Sequence, residues 1–193
     1  MTFIKHCLII MFVLIGLTKT GFASVSVYFD FDDWQAASGS GTAIDFTGYP
    51  SFTPITEQYQ EQGVLFLGSE YIVNPGLGSL AQDGSGLNGG QSPIDAHFLE
   101  SQYSVGSHYV GLILFRLFHK KELIYESDAF GAVPGGSFVG FVSDVPFDSA
   151  ILLDPFDSAV RIDNLYFAPG IPTPGALPIL AARLLVRSRR RRC

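Results

Sequence analysis

Near the end of the chain stands Val160-Arg161-Ile162-Asp163-Asn164-Leu165-Tyr166-Phe167, a run in which apolar and β-branched or aromatic residues recur at the two-residue spacing of a half-buried strand. Its centre is unusual. An Asp163-Asn164 pair sits between Ile162 and Leu165, and a core strand carries such a pair only where the polar atoms find partners. Upstream, segments of the same kind follow at short intervals: Val25 to Phe31, Ala43 to Phe46, Val64 to Leu67, Tyr71 to Val73, Ile94 to Phe98, Tyr109 to Phe115, Leu123 to Ser127, Phe138 to Val142 and Ala150 to Leu153. Glycine, proline, serine and aspartate fill the gaps. Many short strands without a helical period predict an all-β fold, a β-sandwich of jelly-roll type. Thr56 to Gln62 is polar enough for one helical turn and reads as a loop. Leu77 to Pro93, rich in glycine and serine, lacks any hydrophobic period and reads as a long loop, either a binding rim or a disordered insertion.

The two ends differ from the middle. Met1 to His6 carries Lys5, and Cys7 to Leu17 is an uncharged apolar run, too short for the roughly 20 residues that a membrane-crossing helix needs. Gly21-Phe22-Ala23 then sets small residues at the minus-three and minus-one positions, so residues 1–23 read as a signal peptide cleaved before Ser24. At the other end, Pro172-Thr173-Pro174-Gly175 precedes an apolar stretch from Ala176 to Ala182 and the cluster Arg189, Arg190, Arg191 and Arg192. Arginines resist translocation, so such an order halts a chain at a membrane. Arg183 and Arg187 interrupt the apolar part, which suits a processing signal better than a stable anchor.

This three-part tail over residues 170–193 resembles the PEP-CTERM sorting tails of Gram-negative exported proteins, in the variant with a PxPGALP-like core; Thr173 stands where the commoner form has glutamate. Asp45-Phe46, Ile55-Thr56-Glu57-Gln58-Tyr59 and Gly63-Val64-Leu65-Phe66 are similar to the opening of many domains that carry such tails. Phe141 to Ala150 and Ile162 to Phe167 are similar to their closing strands, and the latter also to carbohydrate-binding jelly rolls. The resemblance implies recognition and cutting by an exosortase-like membrane protease, transient membrane association through the tail, and release to the cell surface or an exopolysaccharide matrix. Pro172, Pro174, Gly175 and Arg189 to Arg192 are the sorting residues it implies.

Charge narrows the partners of residues 24–169. Arg116, Lys120, Lys121 and Arg161 stand against all eighteen acids of the chain, a formal charge of −14. Nucleic acid, a polyanion, is excluded as a partner by that sign; cations and neutral sugars suit it. Cys7 and Cys193 both fall in the terminal segments, so residues 24–169 contain no disulfide, cysteine nucleophile or cysteine zinc site.

Asp30, Asp32 and Asp33 cluster where the first strand is expected to end, with Asp30 and Asp32 on one face. If the first and last strands are neighbours, Asp163 or Asn164 completes an oxygen-rich set suited to calcium; the alternative is a solvated acidic edge that discourages strand pairing. Glu57, Glu61, Glu70, Glu100, Glu122 and Glu126 are raw material for glycoside hydrolysis, but no spacing marks a pair across a cleft. His97, His108 and His119 belong to no metal or triad motif, and no G-x-S-x-G elbow occurs. Trp34, Tyr49, Phe52, Tyr59, Tyr71 and Tyr103 stand in or beside loops, where flat rings stack on sugar faces or fill the core. Arg116 to Lys121 reads as a hairpin with charged gatekeepers. The expectation is a non-enzymatic exported surface protein, with a calcium-dependent carbohydrate-binding module and, behind it, a small secreted glycoside hydrolase as alternatives.

Overall fold

The computed structural model describes residues 23–68, 70–73, 86–90, 93–133, 136–156 and 159–170. Residues 1–22 of the expected signal peptide and the expected sorting residues Pro172, Pro174, Gly175 and Arg189 to Arg192 lie outside the described residues, as does most of Leu77 to Pro93. Among the described residues no helix is long and apolar enough to cross a membrane.

The order is β1 (Val25–Tyr28), α1 (Phe31–Ser38), β2 (Thr42–Ile44), a 3-10 turn (Gln60–Gln62), β3 (Val64–Phe66), β4 (Tyr71–Val73), β5 (Gly86–Asn88), β6 (Ile94–Val110), β7 (Leu112–His119), β8 (Glu122–Glu126), β9 (Phe130–Gly131), β10 (Ser137–Leu153) and β11 (Arg161–Ala168). The expected β-sandwich of jelly-roll type is present, built from one antiparallel sheet folded over on itself. β6 and β10 run through both layers. In the first layer Ser104 to Tyr109 and Ser137 to Val142 pair with each other, flanked by β11 and β1. In the second, Ile94 to His97 and Ser149 to Leu152 pair, flanked by β3 and β7.

Between the layers both long strands slip register. β10 gains residues between Val142 and Phe147, where Ser143 Oγ donates to Val145 O at 2.7 Å and accepts from Val145 N at 3.1 Å. β6 gains them between His97 and Gln102. Such bulges bend a strand around a sandwich corner, and they explain how Pro146, which lacks an N–H, sits inside a central strand. The sequence pattern alone breaks both strands here, after Phe98 and after Val142.

The space between the layers is filled by fully buried Val105, Phe141 and Leu165 from one side and Ala96, Phe115 and Leu117 from the other. Phe115 and Phe141 meet with ring centroids 4.8 Å apart. Tyr59, buried at the core edge, packs edge-on against Phe46 and Phe66, and burial pushes its hydroxyl well above the ordinary tyrosine range.

The outer face of the first layer is closed by α1, which corrects the strand expected over residues 25–31 and the absence of helices. Asp30 is the helix cap: its Oδ1 accepts from Asp33 N at 3.0 Å, and Asp32 and Asp33 lie in the first turn, where carboxylates favour the helix dipole. Gly39, at φ +78, ends it. Phe31 and Trp34 project onto the sheet, where Gly140 opposite Gly106 leaves a side-chain-free floor. Trp34 is 3% exposed and its Nε1 donates to Phe141 O at 3.2 Å. His108, ringed by Phe31, Phe138 and Tyr166, is pushed below the ordinary histidine range by burial.

One other expectation changes and one holds. Gly86–Asn88, inside the supposed loop, forms β5 beside β4 and β11. Gly86 is required there, because a Cβ would lie 2.6 Å from Ile162 O. The basic hairpin is confirmed: His119 pairs with Glu122, and Lys120 and Lys121 turn at φ +50 and +71.

Candidate functional site

The segment Phe52 to Thr56 runs antiparallel to Glu70 to Ile72. Phe52 N donates to Ile72 O at 2.8 Å, Ile72 N to Thr53 O at 3.0 Å and Ile55 N to Glu70 O at 2.9 Å. Fully buried Ile55 and Ile72 anchor this ribbon to the core. Thr53 closes the preceding turn, its Oγ1 donating to Pro50 O at 2.8 Å. Phe52 stands in the left-handed region at φ +65, a conformation that costs a bulky residue about 1–3 kcal/mol. Its ring is 64% exposed and stacks on Tyr71, centroids 5.8 Å apart and planes at 28°. Together with Pro54, Ile55, Thr56, Gly68 and Glu70 the pair lines a cavity of about 310 Å³.

A carboxyl lines the same cavity. Glu70 is 1% exposed; its Oε1 accepts from Asp95 N at 2.7 Å, and its Oε2 has no hydrogen-bond partner among the described residues. Burial drives Glu70 above the usual carboxylate range and the charge of Asp95 adds to this, while the backbone N–H groups of Asp95, Glu70 and Gly68 oppose it. Asp95 is itself raised by burial and pulled back by His97, whose Nε2 is 3.3 Å from Asp95 Oδ1. Gly68 leaves the carboxyl its room, since a Cβ there would lie 2.6 Å from Glu70 Oε1 and 2.9 Å from Oε2 and would displace the side-chain end.

Of the six aromatics singled out in the sequence, Trp34 and Tyr59 are core, Tyr49 packs half-buried against Tyr59, and Tyr103 is half-buried within β6. Only Phe52 and Tyr71 among them stack as a partly exposed pair. Of the six glutamates, Glu70 is buried, Glu126 pairs with Arg116 at 2.6 Å, and Glu57, Glu61, Glu100 and Glu122 are exposed. His119 Nδ1 lies 3.9 Å from Asp148 Oδ2.

The geometry on which the calcium expectation depended is corrected. β1 and β11 are not neighbours: β10 and β6 lie between them, about 14 Å at the usual strand spacing. Pairing of the first and last strands therefore does not bring the acids together, and Asp30, Asp32 and Asp33 belong to the cap and first turn of α1 rather than to β1. Asp163 and Asn164 instead occupy a bulge in β11, where Ile162 pairs with Tyr109 but Leu165 with Ser107, and Ser107 Oγ donates to Asn164 O at 2.6 Å. Among the described residues no group of three or more His, Cys, Asp or Glu is placed to hold a metal ion.

No protein-family model and no curated protein matches the chain. Among solved structures it is similar to a family 29 carbohydrate-binding module, at TM-score 0.33 and 16% identity over 81% of this chain and 96% of that one. A variant of such a module complexed with cellulohexaose gives 0.33 and 16% over 77% and 92%, and one complexed with mannohexaose 0.33 and 15% over 77% and 93%.

Proposed function

We propose that this chain is an exported, non-enzymatic surface or matrix protein whose β-sandwich binds polysaccharide at the Phe52–Tyr71 platform. The observation that carries the reading is the exposed Phe52 ring, held at φ +65 and stacked on Tyr71 at the mouth of a cavity. A flat apolar face suits the axial C–H face of a sugar ring, and strain retained at an exposed aromatic is characteristic of a binding site. Thr56 and the polar edge of Tyr71 supply hydrogen-bonding groups beside it. The −14 charge of residues 24–169 argues against acidic glycans as the first choice.

Delivery to the surface rests on the two ends of the sequence: a signal peptide over residues 1–23 and a tail over 170–193 read by an exosortase-like protease. Affinity electrophoresis through gels containing neutral polysaccharides tests the binding reading. Retardation of the wild type that is lost in Tyr71→Ala supports it; equal mobility of both proteins in every gel refutes it.

A further inference from the structure

We infer, resting on the polysaccharide-binding reading of the Phe52–Tyr71 cavity, that its preferred ligand is a cationic glycan bearing free amines, with Glu70 and Asp95 as the counter-charge. An ionised carboxylate out of water needs hydrogen bonds or a cation. Glu70 has a bond from Asp95 N at Oε1 and none at Oε2 among the described residues. Its charged neighbour Asp95 is also negative, and the cationic form available to that pair is His97, 3.3 Å from Asp95. The facing wall from Phe52 to Thr56 contributes no charged side chain.

The carboxyl is close to the cavity. It packs against Gly68, a cavity-lining residue without a side chain, whose added Cβ would fall 2.6–2.9 Å from its atoms. An ammonium group in this cavity shares its lining with the negative charge of Glu70 and with the aromatic rings of Phe52 and Tyr71. N-acetylation removes the positive charge and with it both attractions. A uronate adds a negative charge that Glu70 and Asp95 repel.

The pH profile follows from the same groups. Preference for the amine requires an ionised Glu70 and a protonated amine, so it rises as pH passes upward through the Glu70 range and falls again as the amine deprotonates. Asp95 on β6, itself raised by burial, is the titratable group that faces Glu70 and shapes the lower limb, and His97 lies beside Asp95.

Calorimetric titration of the protein with a glucosamine hexamer, an N-acetylglucosamine hexamer and cellohexaose tests this. Wild type is expected to bind the free-amine hexamer at least about tenfold tighter than the other two, as one charge-assisted contact supplies. Glu70→Gln brings the affinities for the three oligomers within about twofold of one another; Asp95→Asn, a second variant that keeps Glu70, reduces the preference by a smaller factor. Equal affinity for the two hexosamine oligomers, or a preference that persists in the Glu70→Gln, Asp95→Asn double variant, overturns the inference while cellohexaose binding leaves the platform reading standing. Binding of none of the three overturns both.

Discussion

Replacing Gly140 by alanine tests how α1 is held on the sheet. A Cβ at residue 140 would lie 2.4 Å from Trp34 Cδ1, 2.7 Å from Cγ and 2.8 Å from Nε1. Those atoms belong to a rigid ring only 3% exposed, hemmed by Phe31, Phe138 and Tyr166, so the ring must move as a body. Overpacking of this kind costs about 1–3 kcal/mol, and displacement also breaks the Trp34 Nε1 bond to Phe141 O, worth about 1 kcal/mol. The sum, about 2–4 kcal/mol, lowers Tm by roughly 5–15 °C for a domain of this size. Trp34 is the single tryptophan of the chain, so its emission reports the event directly and should shift to the red. In a Trp34→Ala background the penalty of Gly140→Ala should largely disappear, because the two residues act through one contact. Unchanged Tm and emission in Gly140→Ala would refute the packing described for α1.

Glu70→Gln should change how stability depends on pH. A folded-state pKa raised above the ordinary 4.5 means that the folded protein holds the proton more tightly, so the Glu70 contribution is present below pH 4.5 and lost as pH rises through the folded range. The variant should therefore melt above wild type by a margin that widens from pH 4.5 to 7; parallel curves would show that Glu70 is not raised. Lys120→Asn with Lys121→Gly places the residues preferred in a type I′ turn at φ +50 and +71, and is expected to stabilise by about 1 kcal/mol in urea denaturation. Ser24 N lies 2.8 Å from Asp144 Oδ1, so cleavage after Ala23 makes this contact an ion pair with the new N-terminal ammonium. N-terminal sequencing of exported protein should give Ser24, and Asp144→Asn should cost it under about 1 kcal/mol, a salt-dependent loss.

The short strands were legible because their two-residue period survives wherever one face meets the core. The long ones were not. Ser104, Gly106 and His108 hide the period of β6, since this part of the sheet is covered on both faces and small or polar residues make room for α1 rather than for solvent, while Ser107 on the core face binds Asn164 O. α1 itself carried its signals: a cap at Asp30, acids in the first turn and a stop at Gly39. Three aspartates after an apolar run were read as a strand end, and only Trp34 seated on Gly140 decides for the helix. Phe52, Tyr71 and Glu70 were each visible as candidates, but their convergence depends on pairing across the segment from Pro54 to Tyr71, which no local pattern encodes. The separation of β1 from β11 was hidden for a related reason, since strand order cannot be read from strand periodicity.

Phe52→Gly offers the most direct test of the binding platform. Glycine adopts φ +65 without the strain that Phe52 carries, so the variant is expected to keep or slightly raise the melting temperature while losing the ring that stacks on Tyr71. Titration of neutral and free-amine oligosaccharides into both proteins should show at least a tenfold loss of affinity in the variant, about 1.4 kcal/mol, with no loss of stability. Equal affinity in Phe52→Gly and wild type would contradict the assignment of this platform as the glycan site.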